Sequence, residues 1–120
     1  MNAILIVSHG SHSPKTKQEV QLLVEALRKQ GIADFIEFAF LEIEKPSIPE
    51  GIESLVAQGA QEIKVLLNFL NSGKHVDVDI PHIVQDAQKK HPRIRFSISR
   101  PVGQHSKIVG LFSDLAAQTP

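Results

Sequence analysis

Six histidines are distributed along a sequence that contains no cysteine, tryptophan or tyrosine. Two of them, His9 and His75, follow apolar runs in segments that contain Gly and Ser, and Glu42 directly follows a third apolar run. Neutral imidazoles together with a carboxylate are suitable ligands for a first-row divalent metal ion. An imidazole also exchanges protons close to neutral pH. These residue types therefore predict metal binding, proton transfer or both.

The other four histidines have simpler alternative explanations. His12 can be a ligand or only a loop or capping residue, and His105 can join a site or only begin the last helix. His82 lies just inside a predicted helix start, away from the apolar stripe, and His91 lies near a predicted helix end. We expect His82 and His91 to be solvated, as polar residues on helices usually are.

Four apolar runs alternate with four helical patterns along the chain. The runs are Ala3–Val7, Phe35–Leu41, Ile63–Leu70 and Ile94–Ile98. Between and after them, apolar residues recur with the spacing of one face of an amphipathic helix. The last of these stripes is Ile108, Leu111, Phe112 and Leu115. The alternation predicts an α/β fold, with a parallel sheet, right-handed crossovers and helices on both faces.

The composition of the runs predicts the order of the strands. The first and third runs are almost continuously apolar, as central parallel strands are. The fourth run alternates between apolar and polar residues, and the second contains Glu37, so both are expected at the edges. A strand order of 2-1-3-4 satisfies these conditions. We therefore predict one four-stranded α/β domain spanning residues 1–120.

This strand order predicts where a ligand would bind. In open α/β sheets, ligands bind beyond the carboxyl ends of the strands, at the point where the strand order reverses. Here that point lies between strands 1 and 3, whose following segments contain His9 and His75. The segments after strands 2 and 4 bring Glu42, Arg100 and His105 to the same rim. We expect His9 to be buried behind a central strand, where its imidazole would need a polar partner.

Composition excludes several classes of protein. The 13 basic residues are balanced by 13 acidic ones, which argues against a dedicated nucleic-acid binder. No apolar run approaches the roughly 18 residues of a membrane helix, and no basic signal-peptide region precedes the first run. We therefore expect a cytoplasmic protein without membrane contact. Gly10 and Ser11 before a helix would suit a phosphate group, but neither common nucleotide-binding Gly motif is present.

Four segments, in order, resemble the small CbiX-type chelatases of cobalamin and sirohaem biosynthesis. They are Ile6–Ser11, Phe40–Pro49, Phe69–Pro81 and Arg100–His105. The second resembles the family's "FLE…PS(L/I)P" pattern, the third "FL…G-x-H-V…DIP", and the fourth "RPLG-x-H". The resemblance covers nearly the whole chain. It implies a chelatase-like fold, in which this chain corresponds to one flavodoxin-like half of the two-domain chelatases.

The resemblance implies ATP-independent insertion of Co²⁺, Fe²⁺ or Ni²⁺ into sirohydrochlorin, a ring that bears eight carboxylates. It implies that His9 and His75 bind the metal ion and accept pyrrole protons, with Glu42 as a supporting carboxylate. The expected contacts with the ring are Ser11, His12, Lys74 and Arg100. No tightly bound cofactor is expected, since the metal ion is a substrate, and a homodimer is implied because small members pair.

The sequence also departs from the family pattern. His12 stands where the family usually has Arg, and the segment Leu67–Gly73 differs from the usual "PLFL…GG". The changed segment precedes His75, so it bears on metal choice and activity more than on the fold. The alternative to a chelatase is therefore a protein of the same fold that binds a tetrapyrrole or a metal ion without catalysis.

Overall fold

The computed structural model describes residues 1–120 and contains one four-stranded parallel sheet. The strands are β1 (Asn2–Ser8), β2 (Phe35–Phe40), β3 (Glu62–Leu67) and β4 (Arg95–Pro101). Their order is β2-β1-β3-β4, which confirms the predicted order and places β2 and β4 at the edges. The third apolar run was predicted to continue to Leu70, but β3 ends at Leu67 and leaves Phe69 and Leu70 in the following loop.

Four α-helices connect and follow the strands. They are α1 (Pro14–Lys29), α2 (Ile48–Ala57), α3 (Ile80–Lys90) and α4 (Ile108–Gln118). Proline occupies the first turn of α1, α2 and α3, where its missing N–H group breaks no helical hydrogen bond. Ser47 and Glu50 form a reciprocal capping box at the start of α2. None of the helices is long and apolar enough to span a membrane.

The strands bury their side chains against helices on opposite faces of the sheet. On one face, Ile4 and Ile6 of β1 pack in one cluster with Val20 and Val24 of α1. On the other face, Leu5 and its neighbours form the larger cluster with residues of α2 and α3. Burial on both sides explains why β1 is continuously apolar.

The last helix is the exception. The apolar stripe at Ile108, Leu111, Phe112 and Leu115 correctly predicted a helix, but α4 has no buried residue. Helix α4 therefore does not form a buried layer on either face of the sheet. The spacing of apolar residues specifies which side of a helix is apolar, and it does not specify what that side contacts.

His91 is also placed differently from the prediction. It caps the end of α3, its side chain is only 19% exposed, and its Nε2 lies 2.8 Å from Oε1 of Glu53 in α2. The expectation that His91 is solvated was therefore wrong, because a distant carboxylate holds it between two helices. His82 is exposed, as predicted. The hydrogen bond from His91, followed by that from Lys90, holds the pKa of Glu53 below its ordinary value.

The lowered pKa of Glu53 predicts a pH-dependent contribution to stability. A carboxyl group with a lower pKa in the folded state stabilises the fold above its unfolded pKa, and this contribution is lost as the pH falls through the folded pKa. Between about pH 5 and pH 3, the range in which Glu titrates, Glu53→Gln should lose stability less steeply than the wild type. Urea unfolding at several pH values measures this difference. Glu19→Gln, which removes an exposed carboxylate that forms no ion pair, should follow the wild type, and parallel curves for Glu53→Gln would refute the prediction.

Candidate metal centre

Three side chains from three different loops meet at the carboxyl edge of the sheet. One ligand atom from each of His9, Glu42 and His75 lies within 4.8 Å of the other two. Nε2 of His9 is 3.1 Å from Oε1 of Glu42, and Nε2 of His75 is 3.9 Å from the same oxygen. The two imidazole rings have centroids 5.2 Å apart. The structure thus brings together the three residues that the predicted strand order placed at one edge of the sheet.

The loops after β1 and β2 approach each other closely enough to position His9 beside Glu42. Leu41 N–H donates to the carbonyl of Ser8 at 2.9 Å, and Glu42 N–H donates to the carbonyl of His9 at 3.1 Å. Gly10 follows with a φ of 105°, and a Cβ atom at this position would overlap the carbonyl oxygen of Glu42. Glycine is required at position 10 for both reasons.

A tight turn at Ile43 separates Glu42 from Glu44. Ile43 has a φ of 73°, and Glu44 N–H donates to the carbonyl of Glu42 at 2.8 Å, which closes a three-residue γ-turn. A positive φ is unfavourable for a β-branched residue, so the rim stores backbone strain here. Oε1 of Glu44 accepts the N–H of Ser11 at 2.7 Å. Glu44 therefore secures the first loop, while Glu42 faces the histidines.

His75 begins a π-helical turn, His75–Asp79, that continues directly into α3. Val76 is buried and anchors this turn, while Nδ1 of His75 lies 2.8 Å from Oδ2 of Asp79. π-Helical turns often occur at functional sites. The sequence reasoning did not single out Asp79. Its position four residues after a histidine, at the start of a helical pattern, is the signal that would have found it.

The hydrogen-bond acceptors around the two imidazoles indicate which nitrogens face the cluster. Nδ1 of His9 is 3.2 Å from the carbonyl oxygen of Gly10, and Nδ1 of His75 contacts Asp79. A neutral imidazole has one N–H, so donation from Nδ1 leaves an unshared electron pair on Nε2. Both Nε2 atoms then face the Glu42 carboxylate. Two electron pairs and a carboxylate repel one another unless a proton or a metal cation lies between them.

The cluster is open to solvent. The side chains of His9, His75 and Glu42 are 45%, 47% and 51% exposed. The expectation that His9 is buried was therefore wrong, because β1 ends at Ser8 and the chain turns outward one residue later. The buried polar residue is Ser8 itself, whose Oγ accepts a hydrogen bond from Nδ2 of Asn68 at 3.0 Å.

The remaining predicted site residues lie outside the three-residue cluster. Ser11 closes its own loop, since its Oγ accepts the N–H of Ser13 at 3.0 Å. His12 and Lys74 are exposed on the rim, and Lys74 directly precedes His75. Arg100 is exposed and borders a cavity of about 540 Å³. His105, the last of the six histidines, lines the same cavity, and its Nδ1 accepts the N–H of Lys107 at 3.0 Å.

Apolar side chains are exposed on all the loops of this edge except the first. They are Ile43 (49%), Leu70 (65%), Val78 (54%) and Val102 (50%). The loop after β3 is tied to the segment after β4, because Gly103 N–H donates to the carbonyl of Phe69 at 3.0 Å and Nε2 of Gln104 donates to that of Leu70 at 2.9 Å. The edge therefore combines an electron-rich cluster with exposed apolar surface.

Comparison with known proteins finds chelatases with similar sequences. The sirohydrochlorin cobaltochelatase of Priestia megaterium is 31% identical over 107 residues, which cover 89% of this chain and 35% of that protein. The sirohydrochlorin ferrochelatase of Bacillus subtilis (strain 168) is 34% identical over 107 residues, which cover 89% of this chain and 41% of that protein. The chain thus spans less than half the length of these two relatives.

Solved structures share the fold. The sirohydrochlorin chelatase SirB from Bacillus subtilis subspecies spizizenii, in complex with cobalt, has a TM-score of 0.89 and 33% identity over 98% of this chain and 50% of that one. A CbiX protein from Marinobacter aquaeolei VT8, only 19% identical, has a TM-score of 0.84 over 98% of this chain and 96% of that one. The family model described as CbiX matches residues 3–119. Since that match covers almost every residue, and the sheet order and helices are those expected for such a protein, the chain belongs to the CbiX family.

Proposed function

We propose that this chain inserts a divalent metal ion, Co²⁺, Fe²⁺ or Ni²⁺, into sirohydrochlorin without ATP. The observation that carries the proposal is the convergence of two imidazole Nε2 atoms on Oε1 of Glu42. That arrangement suits a divalent cation, since both ligand types bind first-row metal ions. The relatives' names, sirohydrochlorin cobaltochelatase and sirohydrochlorin ferrochelatase, support the same class of reaction.

In the proposed first step, His9 and His75 hold the incoming ion through Nε2, with Glu42 as a third ligand. A closed site with four protein ligands would retain the ion, whereas three protein ligands leave positions for water and for the ring. The exposure of all three side chains supports this role, because the ring must reach the ion from the solvent side. The site is therefore suited to transfer of a metal ion more than to its storage.

Protons must leave the ring as the ion enters. A divalent ion replaces two N–H protons of the macrocycle, so two N–H bonds break and two protons need acceptors. As the ring nitrogens take over the ion, the Nε2 atoms and the Glu42 carboxylate lose their metal contacts and become available as bases. A positioned imidazole is an effective general base near neutral pH. Water at the open rim then carries the protons away.

The rim also offers complementary contacts for a flat, polyanionic ring. The exposed side chains of Ile43, Leu70 and Val78 supply apolar surface beside the cluster. Lys74 and Arg100 are charged and exposed, so they are available to pair with the ring carboxylates. We assign supporting polar contacts to Ser11 and His12, which follow His9 in the same loop.

We further infer that residues 1–120 act as one domain and that two copies form a homodimer around the ring. A single copy offers one wall, and its metal ligands are about half exposed. Three of the matched chelatases, those of Priestia megaterium and of the two Bacillus subtilis strains, have at least as much protein again beyond the part that this chain matches. A second copy would supply a wall of the same size.

The roles of the histidines predict the effect of removing them. His9→Ala and His75→Ala should each lower the rate of insertion by about 100-fold or more, because each loses a metal ligand and a base. The rate is measured from the visible absorption of sirohydrochlorin with each of the three ions. His82→Ala, which removes an exposed imidazole on α3, should retain the wild-type rate.

Unchanged rates in both cluster variants would refute the assigned roles. A wild-type protein that binds the ring tightly but accelerates insertion of none of the three ions would instead support the alternative, a binding protein without catalysis.

Glu42 is predicted to contribute its charge to metal binding. Glu42→Gln keeps the size of the side chain but removes the carboxylate that faces both imidazoles, so Co²⁺ should bind at least about tenfold more weakly. Calorimetric titration with Co²⁺ alone, without the ring, measures this affinity. Glu19→Gln carries the same change at an exposed position away from the cluster and should bind Co²⁺ as the wild type does. Equal affinities for all three proteins would show that Glu42 is no ligand.

Asp79 is proposed as a positioning residue for His75. Oδ2 of Asp79 lies 2.8 Å from Nδ1 of His75, and because a carboxylate only accepts hydrogen bonds, it favours the tautomer that carries its hydrogen on Nδ1. Asp79→Asn should allow the amide to donate to Nδ1 instead, which moves the proton to Nε2 and weakens Co²⁺ binding by about 10- to 100-fold. The ¹⁵N chemical shifts of His75 report which nitrogen carries the proton. Asp77→Asn, an exposed change in the same turn, is the control, and an unchanged tautomer in Asp79→Asn would contradict the assignment.

A further inference from the structure

The loop between β3 and His75 has little support from its own side chains. β3 ends at Leu67 and the π-helical turn begins at His75, so residues 68–74 connect them. Every residue in this range is exposed except Phe69, which is half-buried. A backbone segment with so few buried contacts opens at low cost in free energy. The position of His75 therefore depends on contacts that reach this loop from another part of the chain.

The segment that follows β4 supplies such contacts. Gly103 N–H donates to the carbonyl oxygen of Phe69 at 3.0 Å, and Nε2 of Gln104 donates to that of Leu70 at 2.9 Å. A Cβ atom at position 103 would overlap the backbone of Leu70, so the two segments are in direct contact. Two successive residues thus hold two successive carbonyl groups. We call this pair of hydrogen bonds the β4 clamp.

Little free chain remains between the β4 clamp and His75. Asp77 N–H donates to the carbonyl oxygen of Gly73 at 2.8 Å, which makes Gly73 part of the first turn before α3. Only Asn71 and Ser72 therefore connect the clamped residues with that turn. A residue spans at most about 3.6 Å, so this short connection cannot absorb a large movement of the loop. Displacement of the clamped carbonyl groups is transmitted to the turn and hence to His75.

We propose that Gly103 and Gln104 are positioning residues for His75. Asp79 determines which nitrogen of the imidazole carries the proton, whereas the β4 clamp determines where the imidazole lies. The inference rests on the proposed function, since the place of this imidazole matters only if it binds the incoming ion.

The β4 clamp is compatible with the unusual sequence of the loop. It bonds to main-chain carbonyl groups, which every residue type provides, so side-chain changes within Leu67–Gly73 leave its acceptors in place. The clamp depends instead on the residue types on the β4 side. Only glycine lets position 103 approach Leu70 this closely, and position 104 needs a side chain with an N–H donor of suitable length.

A loop that is fixed before the ion arrives favours metal binding. A loop that is mobile in the free protein must be ordered when the ion binds, and the lost conformational entropy weakens binding. Two ligands that each lie about 2.1 Å from one ion are at most about 4.2 Å apart. With the clamp formed, Nε2 of His75 already lies 3.9 Å from Oε1 of Glu42. The clamp therefore holds His75 where it can share an ion with Glu42.

Substitutions of opposite charge at position 104 test the clamp, because positioning and electrostatics predict opposite results. Gln104→Glu keeps the shape of the side chain but replaces the N–H donor with an acceptor, so calorimetric titration should show Co²⁺ binding about tenfold more weakly. Gln104→Lys keeps an N–H donor and should bind Co²⁺ more tightly than Gln104→Glu does. If only charge mattered, the carboxylate would attract the cation and the ammonium would repel it. Gln85→Glu, at an exposed position on α3, is the matched control and should bind Co²⁺ as the wild type does.

Hydrogen exchange in the metal-free protein tests the same contacts without any ion. In Gln104→Glu and in Gly103→Ala, whose methyl group would force the loop away, the amide of Asp77 should exchange at least about tenfold faster. The reason is that its hydrogen bond closes a turn that is no longer held by the clamp. The amide of Glu42, which is bonded within the loops after β1 and β2, should keep its wild-type rate.

Unchanged exchange at Asp77 in both variants, or tighter Co²⁺ binding by Gln104→Glu than by Gln104→Lys, would overturn the inference. Neither result would contradict the proposed function, whose test is metal insertion by the wild type. A wild type that binds Co²⁺ but inserts no metal ion would contradict the proposed catalysis and leave the positioning role standing. A wild type that binds no Co²⁺ would overturn both.

Discussion

The site depends on the close approach of two neighbouring loops at the carboxyl edge of a parallel sheet. Gly10 allows this approach, because any side chain there would overlap the carbonyl oxygen of Glu42. The contact extends the pairing of β1 with β2 by two further hydrogen bonds beyond the strands, so His9 and Glu42 are positioned by backbone geometry. Side chains held by regular backbone pairing need little further ordering when a ligand arrives, which favours binding.

His75 reaches the same point by a different route. It belongs to the loop after β3, which has no strand pairing beyond Leu67, and its orientation comes from the π-helical turn and from Asp79. One imidazole is therefore positioned by the sheet and the other by the start of a helix. Sites that combine a sheet edge with a helix start have two independent anchors, so a change in one loop leaves the other ligand in place. This division explains how the segment before His75 can depart from the family pattern while His75 still meets Glu42.

The sequence was sufficient for the sheet order and for the meeting of His9, Glu42 and His75, because both follow from the apolar character of β1 and β3 and from the topology of parallel strands. It was not sufficient where tertiary contacts decide. His91 looked solvated until Glu53 of another helix was placed beside it. His9 looked buried because the end of β1 could not be located to one residue. Asp79 contacts His75 because both lie in one π-helical turn, and the spacing of apolar residues does not predict such a turn.

The packing of α4 is the clearest limit of such reasoning and also the most informative. The spacing of its apolar residues identified the apolar side of α4. The predicted fold, with helices on both faces of the sheet, implied that this side packs on the sheet of the same chain. Its exposure changes the interpretation of its composition, because a helix this apolar normally packs against another surface. The segment before α4 begins at the rim of the metal centre, so the exposed helix and the open site lie on connected parts of the chain. A homodimer of the kind proposed above would cover part of the exposed apolar surface and would supply the second wall that the open site lacks.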